Sequence, residues 1–174
     1  MSVCIDAMVL IWGFQKPHHK RKDKSRNQDV TEMRRRSKLL LRTLAEDDET
    51  VIVPAIAVSE VLLGIRLEEH GEFIAKLQEH FFLPPYDLRA ASLAAKLWQE
   101  TRELPKEEQP ARTTLRADVM IVATAKVAQA KTIFSHDEKL RKLATRAGII
   151  ARELPTHSDN LFVNEEVRQE VEDE

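Results

Sequence analysis

Four acidic side chains stand in surroundings too apolar for them: Asp6 after "VCI", Glu60 inside "AIAVSEVLLGI", Asp118 in "RADVMIVATA" and Asp137 after "IFSH". A carboxylate at the end of an element is commonly a helix cap, worth about 0.3–1 kcal/mol near an N-terminus. Asp118 and Asp137 both admit that reading. Asp6, leaving a buried strand, needs a partner. Glu60 needs one more urgently, because an unpaired charge buried in mid-helix costs several kcal/mol. Arg66 points elsewhere on that helix, and Gly64, one turn on along the same face, leaves open space. One arrangement satisfies all four acids: they gather in one cleft and share divalent cations. Without metal they repel one another, and at least one holds its proton at a raised pKa. A donor set made only of oxygen suits one or two Mg²⁺ or Mn²⁺ ions rather than zinc. The sequence has no Cys/His zinc spacing, and His18 and His19 fall in a polar loop.

The elements that must position these acids follow from periodicity and punctuation. Short apolar strands are expected at 3–5, 50–54, 81–83, 132–134 and 149–151. Pro54 stops the second, and Pro84 with Pro85 closes the third. Helices are expected around 33–44, 55–70, 72–80, 88–104, 117–129 and 136–148, the last ended by Gly148. Residues 15–29 read as an exposed mobile loop and 105–114 as a linker. Strands separated mostly by helices indicate an α/β fold with a parallel sheet. In such sheets ligands bind beyond the carboxyl ends of the strands, where the strand order reverses. Asp6 and Asp137 both sit at strand ends of that kind.

Bulk properties narrow the classes. At 174 residues, 43% hydrophobic and 32% charged, the chain has room for one domain with a substantial core. No apolar run approaches the ~20 residues that span a bilayer, so no membrane role is expected. "MSVCIDAMVLIWGF" has neither a basic leader nor a small-residue cleavage site, so no signal peptide is expected. The single cysteine, Cys4, fits a reducing cytoplasm and a place in the core. Four glycines, at 13, 64, 71 and 148, leave no P-loop and no dinucleotide fingerprint. The net charge of −2 hides an asymmetry. Residues 16–42 carry eleven Lys or Arg against Asp23, Asp29 and Glu32, a net of +8. The tail from Arg152 carries two Arg against eight acids, a net of −6. Lys20, Arg21, Lys22, Lys24 and Arg26, with Arg34, Arg35 and Arg36 beyond, are therefore candidates for RNA phosphates. A solvated, solubilising loop is the plainer account of the same charges. The loop has no aromatic residue to stack on bases.

Taken in order, "VCIDAMVLI", "PAIAVSEVLLG", "RADVMIVATA" and "IFSHDEKL" resemble the acidic signature of the PIN-domain family, especially its VapC-like toxin ribonucleases. The resemblance covers about residues 2–151, with a basic insertion near 15–30 and an acidic tail at 152–174. It implies a three-layer α/β/α domain with a five-stranded parallel sheet of order 3-2-1-4-5. It also implies Mg²⁺- or Mn²⁺-dependent RNA hydrolysis by Asp6, Glu60, Asp118 and Asp137, a homodimer, and a small protein antitoxin over the acidic cleft. Ser135 matches the hydroxyl residue that the family places two positions before the last acid, where it orients Asp6 or a metal-bound water. Ala7 and Met8 depart from the polar residues usual after the first Asp, which removes polar support from the acids. The alternative is a PIN-like domain with a decayed site that binds RNA or protein.

Overall fold

The computed structural model describes residues 2–14, 24–104 and 112–156. The chain runs β1 (Ser2–Ile5), α1 (Ala7–Phe14), α2 (Lys24–Glu46), β2 (Thr50–Ile52) and α3 (Ala55–Leu62). A 3₁₀ turn (Leu67–Glu69) follows, then α4 (His70–His80), α5 (Leu88–Arg102), α6 (Arg112–Val127), β3 (Thr132–Phe134), α7 (Glu138–Arg146) and β4 (Ile150–Arg152). Among the described residues no helix is long and apolar enough to cross a membrane.

All strands pair in parallel, in the order β2-β1-β3-β4. Val3, Cys4 and Ile5 are consecutive and completely buried. Because neighbouring side chains on a strand point to opposite faces, both faces of the sheet are covered at β1. Helix α1 packs on α2 and α3, and α6 packs on α5, α7 and α3. The core runs between these layers through Leu10, Leu40, Leu44, Val53, Val122 and Ile133.

Among the described residues the expected five-stranded sheet is corrected to four strands. The segment around Phe82 makes a single parallel bridge to Ile52 on the outer edge of β2. Its two ladder bonds run from Phe82 N–H to the Val51 carbonyl and from Val53 N–H to the Phe82 carbonyl, each 2.9 Å. Pro84 and Pro85 follow, and neither has an N–H to extend the ladder. The bridge occupies the place where the third strand was expected, but the prolines keep it from becoming one.

Helix boundaries differ too. Helix α2 starts at Lys24, so it takes in part of the expected loop. The helix expected over 55–70 stops at Leu62, and Glu60 lies in its last turn rather than mid-helix. Helix α6 starts at Arg112. Asp118 is therefore inside the helix, and the N-terminal cap reading for it is overturned. Strand β4 extends through Arg152, one residue into the expected tail.

The turn that delivers β4 depends on Gly148. Its φ of +70° ends α7, with Gly148 N–H donating to the Thr145 carbonyl at 2.9 Å and Ile149 N–H to the Ala144 carbonyl at 3.0 Å. Any Cβ is strained at that φ. Gly148→Ala is expected to lower stability by about 1–2 kcal/mol, seen as a lower denaturant midpoint at unchanged slope; an unchanged midpoint would refute this account of the turn.

Candidate active site

The site begins with a register. Strands β1 and β3 are adjacent and parallel, with Ile5 opposite Phe134. The next residue on each chain is Asp6 and Ser135, so the two side chains come together at the carboxyl end of the sheet. The Ser135 hydroxyl donates to Oδ2 of Asp6, and Oδ1 of Asp6 accepts from Val9 N–H at 3.1 Å. Asp6 thus caps α1 while facing Ser135. Ser135 Oγ in turn accepts from Asp137 N–H at 3.0 Å. Asp137 caps α7, its Oδ1 accepting from Lys139 N–H at 2.7 Å and Leu140 N–H at 3.4 Å. The cap reading for Asp137 is correct, and it coexists with a place beside Asp6.

Asp6 is 4% exposed and Asp118 7%; Glu60 is half-buried and Asp137 exposed. Burial raises the Asp6 carboxyl above its ordinary range, opposed by the hydrogen bonds from Ser135, Val9 and Met8, with a smaller upward push from Asp137. Burial raises Glu60 as well, and the charge of Asp6 adds to it. Asp118 is pushed up to about 7, first by burial and then by Asp137, Glu60 and Asp6, with Lys139 opposing. Asp118 therefore feels all three other acids, although they come from separate parts of the chain. Among the described residues none of the four forms an ion pair with Lys or Arg.

This is a set of oxygen donors with negative charge in excess, and that chemistry fits a hard divalent cation. Among the described residues, no three acidic, His or Cys side chains stand close enough to enclose an ion as placed.

The sequence did not single out the frame around this site. Arg141 Nη1 reaches back from α7 to the carbonyls of Ser135 and His136, each at 2.8 Å, and so braces the loop that carries Asp137. Glu153, just past β4, lies 3.1 Å from Arg36, 3.5 Å from His136 and 3.9 Å from Arg141. An arginine four residues after a helix cap was the only signal for this brace, and it is a weak one.

The basic candidates divide. Lys20, Arg21 and Lys22 lie outside the described residues, and Lys24 and Arg26 fall on the first turn of α2. Arg34 is half-buried. Arg35 is exposed but pairs with Glu32 at 2.8 Å and donates to the Thr156 carbonyl at 2.9 Å. Arg36 is buried and holds Glu153 and the carbonyls of Leu154 and Pro155. Its expected place on an RNA-facing surface is therefore corrected: it ties α2 to the segment after β4.

A parallel α/β sheet with carboxylates beyond the ends of two adjacent strands defines an acidic-cleft domain. The family model described as PIN domain matches residues 3–146, and the chain belongs to that family. Three solved structures share the fold. VapBC2 from Rickettsia felis bound to a DNA fragment from their promoter is 14% identical, with a TM-score of 0.59 over 89% of this chain and 100% of that one. VapBC-1 from nontypeable Haemophilus influenzae is 16% identical, with a TM-score of 0.58 over 88% and 98%. DNA-bound VapBC from Salmonella typhimurium is 16% identical, with a TM-score of 0.52 over 89% and 99%. No curated protein matches the sequence.

The raised carboxyl of Asp118 has a consequence for stability. Its pKa rises from 3.8 to about 7 on folding, so the folded protein holds a proton that the unfolded chain releases. This contribution is fully present below about pH 4 and is lost as pH rises to about 7. In chelator, Asp118→Asn should melt above the parent protein at pH 8, and the gap should close at pH 4. A parent protein that melts at or above the variant at pH 8 would count against the shift.

Proposed function

We propose that the protein is a divalent-metal-dependent endoribonuclease of the VapC-like toxin kind. The observation that carries this reading is the mutual field of four carboxylates from the end of β1, α3, α6 and the cap of α7, none of them in an ion pair with Lys or Arg among the described residues. Asp6, Glu60, Asp118 and Asp137 would hold one or two Mg²⁺ or Mn²⁺ ions. When bound, such an ion supplies a water of lowered pKa and neutralises charge building up at phosphorus.

The chain's own groups do the rest. Ser135 fixes the Asp6 carboxylate through its hydroxyl. Asp118, whose carboxyl is pushed up to about 7, must be in its deprotonated form to act as a ligand. Asp137 is oriented through its own backbone, because its N–H is held by Ser135. The likeness to VapBC structures supports a small protein antitoxin as partner; a homodimer as the working unit is what the resemblance to the toxin family implies and belongs to the same proposal.

Single-stranded RNA incubated with Mn²⁺ tests the activity. The parent protein should cut it, and Asp6→Asn and Asp118→Asn should each lose about a hundredfold or more, the scale of removing one electrostatic stabiliser. Equal cleavage by all three would refute the assignment.

A second reading, a domain that binds without cutting, draws on α1: Ala7 is buried and Met8 is exposed, so neither offers a polar group to the acids. Calorimetric titration separates the two, since the nuclease reading requires Mn²⁺ to bind near neutral pH and the other does not. RNA is expected to be held in part by the basic stretch. Neutralising Lys20, Arg21, Lys22, Lys24 and Arg26 together should weaken binding and flatten its salt dependence. A slope that does not change would assign those charges to solubility alone.

A further inference from the structure

An aromatic pair beside the carboxylates has no part in the hydrolytic scheme. Trp12, on the second turn of α1, and His136 meet edge to face, with ring centroids 5.7 Å apart and planes at 69°. His136 stands between Ser135 and Asp137, so the pair sits on the loop that carries the last acid. Met8 lies one turn before Trp12 on the same side of α1 and is 38% exposed. Trp12 is partly buried against the core, which explains its inner side. Core packing does not explain an exposed thioether next to it, nor an exposed imidazole that is no part of the core.

The pair is also held in place. The His136 carbonyl accepts from Arg141 at 2.8 Å, and its Nδ1 lies 3.5 Å from Glu153 Oε1. A ring already fixed loses little further freedom when something stacks on it.

The electrostatics decide what that something is. Arg141, the guanidinium beside the pair, is engaged by the Ser135 and His136 carbonyls and faces Glu153 rather than a ligand, so the pair itself is not built for a phosphate. A neutral planar ring needs no cation, and the faces of Trp and His rings with a polarisable sulfur suit one. We propose that Met8, Trp12 and His136 form a subsite for an unpaired nucleobase of the strand whose phosphate lies at the carboxylates. The proposal rests on the ribonuclease reading for the identity of the strand, and it assigns to this chain the stacking contact that the basic stretch lacks. Stacking tolerates any base, because every base has a π-face. The subsite therefore selects single-stranded over paired RNA rather than one sequence over another.

The test uses the full chain carrying Trp98→Phe, which leaves Trp12 as the sole tryptophan, mixed with Mn²⁺ and the strand in a stopped-flow cell and read during binding, ahead of cutting. A short oligouridylate should quench Trp12 fluorescence, and an abasic ribose-phosphate strand of equal length should not. In the natural background, His136→Ala and Trp12→Ala should each weaken oligouridylate binding by about tenfold, and Trp12→Phe should restore most of it. Trp12 touches the core, so His136→Ala, at an exposed side chain, keeps the test decisive if Trp12→Ala does not fold. Equal quenching by the abasic strand, no quenching at all, or unchanged affinity in His136→Ala each overturns the subsite. Cleavage with Mn²⁺ in the same preparations keeps the two readings apart. Base-dependent quenching without cleavage leaves the subsite standing and removes the nuclease, and cleavage with unchanged affinity in His136→Ala does the reverse.

Discussion

The pairing of Ile5 with Phe134 governs the cleft, because the residues that follow them, Asp6 and Ser135, can meet only in that register. The side-chain period of a strand is two, so a slip of one residue would turn every side chain of β1 to the opposite face. Cys4 and Ile5 are both completely buried, so both faces already exclude water and a slipped register has no polar surface to offer Asp6. The apolar strand thus fixes where the first carboxylate emerges. The Ser135 hydroxyl then joins Asp6 to the backbone of Asp137, and through that cap to α7. A single hydroxyl links two strands and the start of a helix.

Holding Asp6 and Asp118 in a dry place is unfavourable, and the fold offsets this unequally. Asp6 receives hydrogen bonds from Ser135 and Val9, which favour its charged form and partly counter burial. Asp118 receives less help. Among the described residues only Lys139 opposes its burial and its three acidic neighbours, and its carboxyl is pushed up to about 7. The surrounding core carries the strain: Val119, Ile121, Val122 and Ala123 follow Asp118 on α6, and all are buried. A stretch that apolar leaves α6 little choice of face. The burial that stabilises the helix therefore also holds Asp118 where it feels the other three acids.

This is why the acids were legible in the sequence and the fold around them less so. A carboxylate inside "RADVMIVATA" or after "VCI" conflicts with its neighbours, and the conflict shows in composition alone. The order of the parallel strands followed from a family resemblance rather than from any residue pattern. Element ends were harder. Whether "FFL" becomes a strand depends on two prolines removing donors on one side of a ladder, a matter of pairing rather than propensity. Asp118 looked like the start of its helix because the apolar run starts there, yet the helix begins at Arg112 among polar residues whose periodicity carries no signal. The brace made by Arg141, Glu153 and Arg36 was invisible for a third reason: its members are far apart in sequence and each is an ordinary surface type.

That brace also carries the connected structure past the matched region. The family match stops at residue 146, yet the segment 153–156 is tied to α2 by Arg35 and Arg36 and, through Glu153, to the loop bearing Asp137. Strand β4 extends the same connection, since Ser135 N–H donates to the Arg152 carbonyl at 3.1 Å. Arg36 is buried with its donors turned to carbonyls and a carboxylate, a use to which the fork of a guanidinium is suited and a lysine is not. The charge asymmetry of the sequence, basic early and acidic late, is thus in part an internal complementarity. At Arg36 and Glu153 the basic region meets the start of the acidic tail, and that contact helps to hold Ser135, His136 and Asp137 where Asp6 requires them.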